Sequence, residues 1–65
     1  MLPHQERVIA EREELVMKVA KLEEFLFKDL YFRLPYEEQS RLMQQFGLMA
    51  GYLRVLDERI AAFGI

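Results

Sequence analysis

The chain has no cysteine and no threonine, and only one serine and one histidine in 65 residues. Without cysteine, disulfides and thiolate metal sites are excluded. A lone histidine, His4, would leave zinc dependent on carboxylates, so no metal site is expected. Nucleophile–base–orienter arrangements lack their parts, and there is no glycine-rich phosphate loop. The adjacent acids Glu13-Glu14 and Glu37-Glu38 point in different directions on a helix and read as solvated surface. No catalytic residue and no cofactor are expected, and the chain reads as a non-enzyme. No apolar run approaches the roughly 20 residues that span a bilayer, and the first residues lack an apolar signal core. No membrane partner is therefore expected, and the expected location is the cytoplasm. The formal net charge of −2 has the wrong sign for a general binder of DNA or RNA polymers.

What the sequence does have is a heptad stripe. Leu42, Phe46, Met49, Leu53, Leu56, Ile60 and Phe63 recur at steps of four and three. On a helix they form one narrow apolar seam that something must cover. A second stripe, Val8, Leu15, Val19, Leu22, Leu26 and Leu30, is broadened by Ile9 and Val16. Glu14–Lys18 and Glu24–Lys28 are Glu-before-Lys pairs in the favourable i,i+4 orientation. Pro3 suits a first helical turn, and Leu34-Pro35 punctuates the chain. Pro35 at a first helical position, followed by Glu37 and Glu38, marks a second start. The expectation is one all-α domain over 1–65, with a helix over about 3–29, a connection over about 30–34 and a helix over about 35–62. Two long amphipathic helices with a short connection pack antiparallel. Pairing the stripes sets Leu26 near Leu42, Leu22 near Phe46, Leu15 near Leu53 and Val8 near Ile60.

A hairpin hides one stripe on each helix, and the hydrophobic fraction of 52% leaves a surplus. Leu48, Val55 and Ala62 lie beside the seam of the second helix; Ile9, Val16, Ala20, Phe25 and Phe27 lie beside that of the first. Such patches mark interfaces. A homo-oligomeric helical bundle is expected, with Leu48, Val55 and Phe25 in the interface. Gly47 and Gly51, four apart on the second helix, fit either close approach of another backbone or tolerated drift.

One polar grouping bears on function. Antiparallel pairing brings Arg59 to the end of the hairpin that holds Arg7 and His4, where cations can gather an anion. Glu6, Glu11 and Glu58 offer a plainer alternative, neutralising those arginines in surface pairs. Tyr52, with Gln45 beyond it, adds an aromatic face and an amide, and Lys18 and Lys21 occupy the matching flank of the first helix. In a closed oligomer each such residue is repeated about the axis, so one arginine per chain becomes a converging set.

Taken in order, His4-Gln5-Glu6-Arg7-Val8-Ile9, Glu11, Leu15, Lys18, Leu22, Phe25-Leu26, Phe32-Arg33-Leu34 and Glu38-Gln39 form a pattern. It continues through Leu42-Met43, Gln45, Met49, Tyr52, Leu56 and Glu58-Arg59-Ile60. The pattern resembles the helical-hairpin domain shared by phage anti-CBASS and anti-Thoeris sponge proteins, over nearly the whole chain. That resemblance implies a homo-oligomer, often a hexamer, which sequesters cyclic nucleotide immune signals in the host bacterial cytoplasm without degrading them. It implies pockets between subunits, for which Arg7, Lys18, Tyr52 and Arg59 match pattern positions. The larger anti-Thoeris members carry a further segment after the hairpin, whereas this sequence stops at Ile65. A cyclic di- or trinucleotide is therefore the expected ligand rather than a cyclic ADP-ribose-type signal. The alternative is a small helical interaction or assembly module with no nucleotide ligand.

Overall fold

The computed structural model describes residues 1–64. It contains α1 (Pro3–Leu26), α2 (Asp29–Phe32) and α3 (Tyr36–Ala61). The two long helices pack antiparallel into a rod of 46 × 15 × 14 Å.

α1 starts where Pro3 needs no donor partner, and the Gln5 side-chain oxygen accepts the Leu2 N–H at 3.0 Å. It stops at Leu26, three residues before the expected boundary. The Phe27 N–H donates back to the Glu24 carbonyl and the Lys28 N–H to that of Phe25, and Lys28 takes an extended conformation (φ −87°, ψ 152°). The expected plain connection instead contains the single turn α2. Its physical reason is Tyr31, which the break turns inward and buries. There Tyr31 meets Phe25 edge-on at 6.2 Å and donates its hydroxyl to the Gln39 carbonyl at 3.2 Å. Leu30, expected in the apolar stripe, is turned out and 58% exposed.

Gln39 closes the loop from the other side. Its amide donates to the Leu34 carbonyl at 2.9 Å and to the Phe32 carbonyl at 3.3 Å. Pro35 caps α3 rather than opening it: its backbone stays extended (φ −54°, ψ 146°), and its carbonyl accepts the Glu38 and Gln39 N–H groups. At the other end α3 stops one residue short of the expected 62, and Gly64 turns the chain away with a left-handed φ of 75°.

All seven residues of the heptad stripe are buried or half-buried. Leu56 is fully enclosed and joins Val8 and Leu15 in the core, with Val19, Met49, Leu53, Ile60 and Phe63 packed around them. Burial of a leucine to this extent contributes about 1.5–3 kcal/mol. The α1 stripe is less uniform, because Gln5 and Arg12 stand half-buried at positions that continue its heptad spacing. Arg12 reaches across to Asp57, Nε to Oδ1 at 2.7 Å. Of the two expected pairs along α1, Glu24–Lys28 forms at 3.7 Å; Glu14–Lys18 does not close. Among the described residues no helix is long and apolar enough to cross a membrane.

Candidate functional site

The Arg12–Asp57 bridge tells which flanks of the two helices look the same way. Residues advance about 100° each around a helix. Asp57 lies on one side of the α3 seam, so Gln45, Leu48, Tyr52, Val55 and Arg59 emerge on the other. Arg12 lies on one side of the α1 seam, so Arg7, Lys18, Lys21 and Phe25 emerge opposite it. The antiparallel crossing makes these two outer columns neighbours. They form one broad face of the rod, with the Arg12–Asp57 bridge on the reverse face.

The four candidate residues Arg7, Lys18, Tyr52 and Arg59 therefore share a face, and all four are exposed, Tyr52 at 45%. Arg7 and Arg59 sit at the open end of the hairpin, and Lys18 and Tyr52 are nearly level with each other midway. Arg7 and Lys18 are eleven residues apart, about 16 Å of helix rise, and Arg59 and Tyr52 are about 10 Å apart. His4 is exposed at the edge of the same end.

The acids do not neutralise these cations. Glu58 pairs with Arg54 at 3.0 Å, on the reverse side of α3 from Arg59. Glu6 and Glu11 enter no ion pair among the described residues, and neither do Arg7, Lys18, Lys21 and Arg59. Arg7, Lys18, Lys21 and Arg59 thus share the face with Glu11 and Glu14 and, at the closed end, Glu37. Guanidinium and ammonium groups are donors suited to phosphate, and the exposed Tyr52 ring shares their face. Gln45 turns its amide N–H towards the Met49 sulfur at 3.7 Å, which leaves its carbonyl oxygen free to accept.

The expected interface residues divide. Leu48 is 76% exposed, and Val55 is exposed beside it; Phe25 is half-buried against Tyr31. Around Gly47 and Gly51 there is open space where a side chain would begin.

The reverse face carries a second feature, made by the turn in the chain. An open groove of about 670 Å³ lies at the closed end, lined chiefly by Leu26, Phe27, Phe32, Met43 and Phe46 and bordered by Glu23 and Gln39. Its signal was present in the sequence: five of the eight aromatic residues fall between Phe25 and Tyr36. No grouping of three metal-ligating side chains occurs among the described residues.

Comparison with known proteins agrees with the family read from the residues. The Sequestin family matches residues 2–62. A protein of Enterobacteria phage T4, described as an uncharacterized 7.5 kDa protein of the denB-rIIB intergenic region, is 36% identical over 63 residues. That alignment covers 97% of this chain and 98% of the phage protein. No solved structure matches the chain. The family match takes in both long helices, the latch between them and all four exposed candidates, and so the chain belongs to the Sequestin family.

Proposed function

We propose that the chain is a non-enzymatic sponge. As a homo-oligomer it holds cyclic di- or trinucleotide immune signals between subunits and does not cleave them. The observation that carries this reading is the basic face: Arg7, Lys18 and Arg59, without acidic partners among the described residues, grouped with the exposed ring of Tyr52. The arginines take the phosphates by paired N–H donors, Lys18 adds a point charge, and Tyr52 supplies a surface on which a base stacks. The family's name points to sequestration, and a phage relative is in keeping with action in the infected bacterial cytoplasm. Sequestration demands affinity and abundance but no reacting group, in keeping with the shortage of nucleophiles and bases in the sequence. A submicromolar dissociation constant corresponds to more than about 8 kcal/mol, a demand that several charge-assisted contacts and stacking can meet.

Calorimetry against a panel of cyclic di- and trinucleotides tests the reading, followed by denaturation and recovery of the ligand. Binding with intact ligand is the expected result. A cleaved ligand makes the protein an enzyme, and no binding across the panel removes the sponge. The exposed Leu48–Val55 column favours a second reading, an interaction module without nucleotide. Stoichiometric retention of a host protein in place of ligand supports that second reading.

A further inference from the structure

Nothing in the local sequence obliges α1 to end at Leu26. Residues 27–33 contain neither glycine nor proline. Only Lys28 leaves the helical region there, with an extended backbone and no side-chain cap. The break strands two donors. The Asp29 and Leu30 N–H groups open α2 and find no backbone acceptor among the described residues. An unbroken helix would give them the Phe25 and Leu26 carbonyls. The break also leaves Leu30 exposed, although it lies four residues beyond Leu26 and continues the α1 stripe.

Against these losses stand the contacts of one side chain. Tyr31 is buried because the helix breaks; on an unbroken α1 it would lie about 100° past Leu30 and off the seam. In its buried place it donates to the Gln39 carbonyl at 3.2 Å. It also meets Phe25 and Phe32 edge-on, at 6.2 and 5.1 Å between ring centroids.

We propose that the closed end is a two-state switch, in which α1 straightens through Phe32 and exchanges the buried Tyr31 for Leu30. The exchange is like for like. Two backbone bonds and one apolar side chain replace one hydroxyl bond and two ring contacts. The connection that remains, Arg33 to Pro35, is three residues long, within the roughly two to five that join antiparallel helices. α3 keeps its start, because the Pro35 carbonyl already accepts the Glu38 and Gln39 N–H groups. Asp29 tips the balance towards the bent form. Straightening carries it to the seam, seven residues after Leu22, towards the acidic first turn of α3; bent, it stays in water.

Tyr31 and Phe32 line the closed-end groove, so the groove belongs to the bent form alone. Arg7, Lys18, Tyr52 and Arg59 lie away from the break and keep their places in both forms. The switch thus acts on the closed end and is independent of nucleotide binding. Whatever covers the groove selects the bent form by linkage.

Amide NMR of the full chain tests the switch. In the bent form Lys28 has an extended Cα shift and the Asp29 and Leu30 amides exchange freely. In the straight form the shift is helical and both amides are protected. The wild type should be mainly bent, with the straight form a minor species in relaxation dispersion. Asp29→Leu touches no contact of Tyr31 and should raise the straight-to-bent ratio about tenfold by adding a leucine to the seam. Tyr31→Phe removes only the hydroxyl and should raise it about two- to tenfold. Leu30→Gln should lower it and flatten the dispersion. Each substitution falls at an exposed position or removes one hydroxyl, and helical circular dichroism checks that each variant folds. Lys28 extended, with Asp29 and Leu30 amides exchanging freely, in both Asp29→Leu and Tyr31→Phe would mean a fixed bend and overturn the proposal. Helical signals that grow in Leu30→Gln would overturn it too, because Leu30 would not be the residue exchanged.

Discussion

Arg12 on α1 bonds Asp57 on α3, guanidinium Nε to carboxylate Oδ1 at 2.7 Å, across forty-five residues of sequence. Among the described residues it is the one ion pair that joins the two long helices. Arg12 holds a position that an apolar residue would occupy in an unbroken α1 stripe. Its side chain lies over the core and its head leaves at the flank.

That pair should be weak. Its side chains are 40% and 50% exposed, so solvent screens the attraction. A double-mutant cycle with Arg12→Ala and Asp57→Ala should give a coupling below about 1 kcal/mol that shrinks with added salt. A coupling of several kcal/mol, unmoved by salt, would contradict the exposed geometry.

Leu56→Ala should be far more damaging. It empties the one fully enclosed side-chain site among the described residues, and such truncations cost about 2–5 kcal/mol. A chain of this size has little stability to spare, so loss of the cooperative thermal transition in circular dichroism is the expected outcome. A melting temperature within a few degrees of wild type would show that the core lies elsewhere.

The latch at the closed end can be taken apart in two steps. Tyr31→Phe removes one hydroxyl bond and should cost about 0.5–1.5 kcal/mol. Gln39→Ala leaves the Leu34 and Phe32 carbonyls without their donor and should cost more than Tyr31→Phe. Urea denaturation compares them, and the reverse order would demote Gln39 to a bystander.

The basic face predicts separable effects on binding and folding. Arg59→Ala and Tyr52→Ala should each weaken cyclic nucleotide binding by about tenfold or more, since a charge-assisted bond or a stacked base contributes roughly 1.5–3 kcal/mol. Both residues are exposed, so helix content should not change. Arg54→Ala, which removes the partner of Glu58 on the other side of α3, is the control and should bind as wild type. Equal losses for Arg54 and Arg59 would indicate a diffuse charge effect in place of a site.

Gly51→Ala tests the outer side of α3. The backbone there is helical and the space beside it is empty, so the substitution should stabilise the hairpin by about 0.4–1 kcal/mol in urea denaturation. A destabilised variant would contradict the open space beside Gly51.

The α3 stripe was legible because every position in it is apolar, and helical spacing alone then determines what faces inward. The α1 stripe was only partly so. Arg12 and Gln5 keep the spacing but not the polarity, and an arginine discloses a partner such as Asp57 only once the register of the hairpin is known. α2 was hidden for a similar reason: Lys28, Asp29 and Leu30 are locally compatible with a continuing helix. The break depends on Tyr31 reaching Gln39, a tertiary contact that overrides local preference. The shared face of Arg7, Lys18, Tyr52 and Arg59 followed from wheel geometry plus an antiparallel crossing. The choice by Glu58 of Arg54 over Arg59 follows from i,i+4 spacing, since adjacent residues point apart on a helix. The groove was not legible in the stripes because the turn in the chain makes it.

The hairpin is fastened twice, by a polar latch at its closed end and by an apolar core gathered towards its open end. A rod secured at two distant points resists both splaying and sliding, so the column on either flank keeps its spacing as a ruler does. Pre-organisation follows: a ligand that matches that spacing meets donors already in place and expends little of its binding free energy on ordering the backbone.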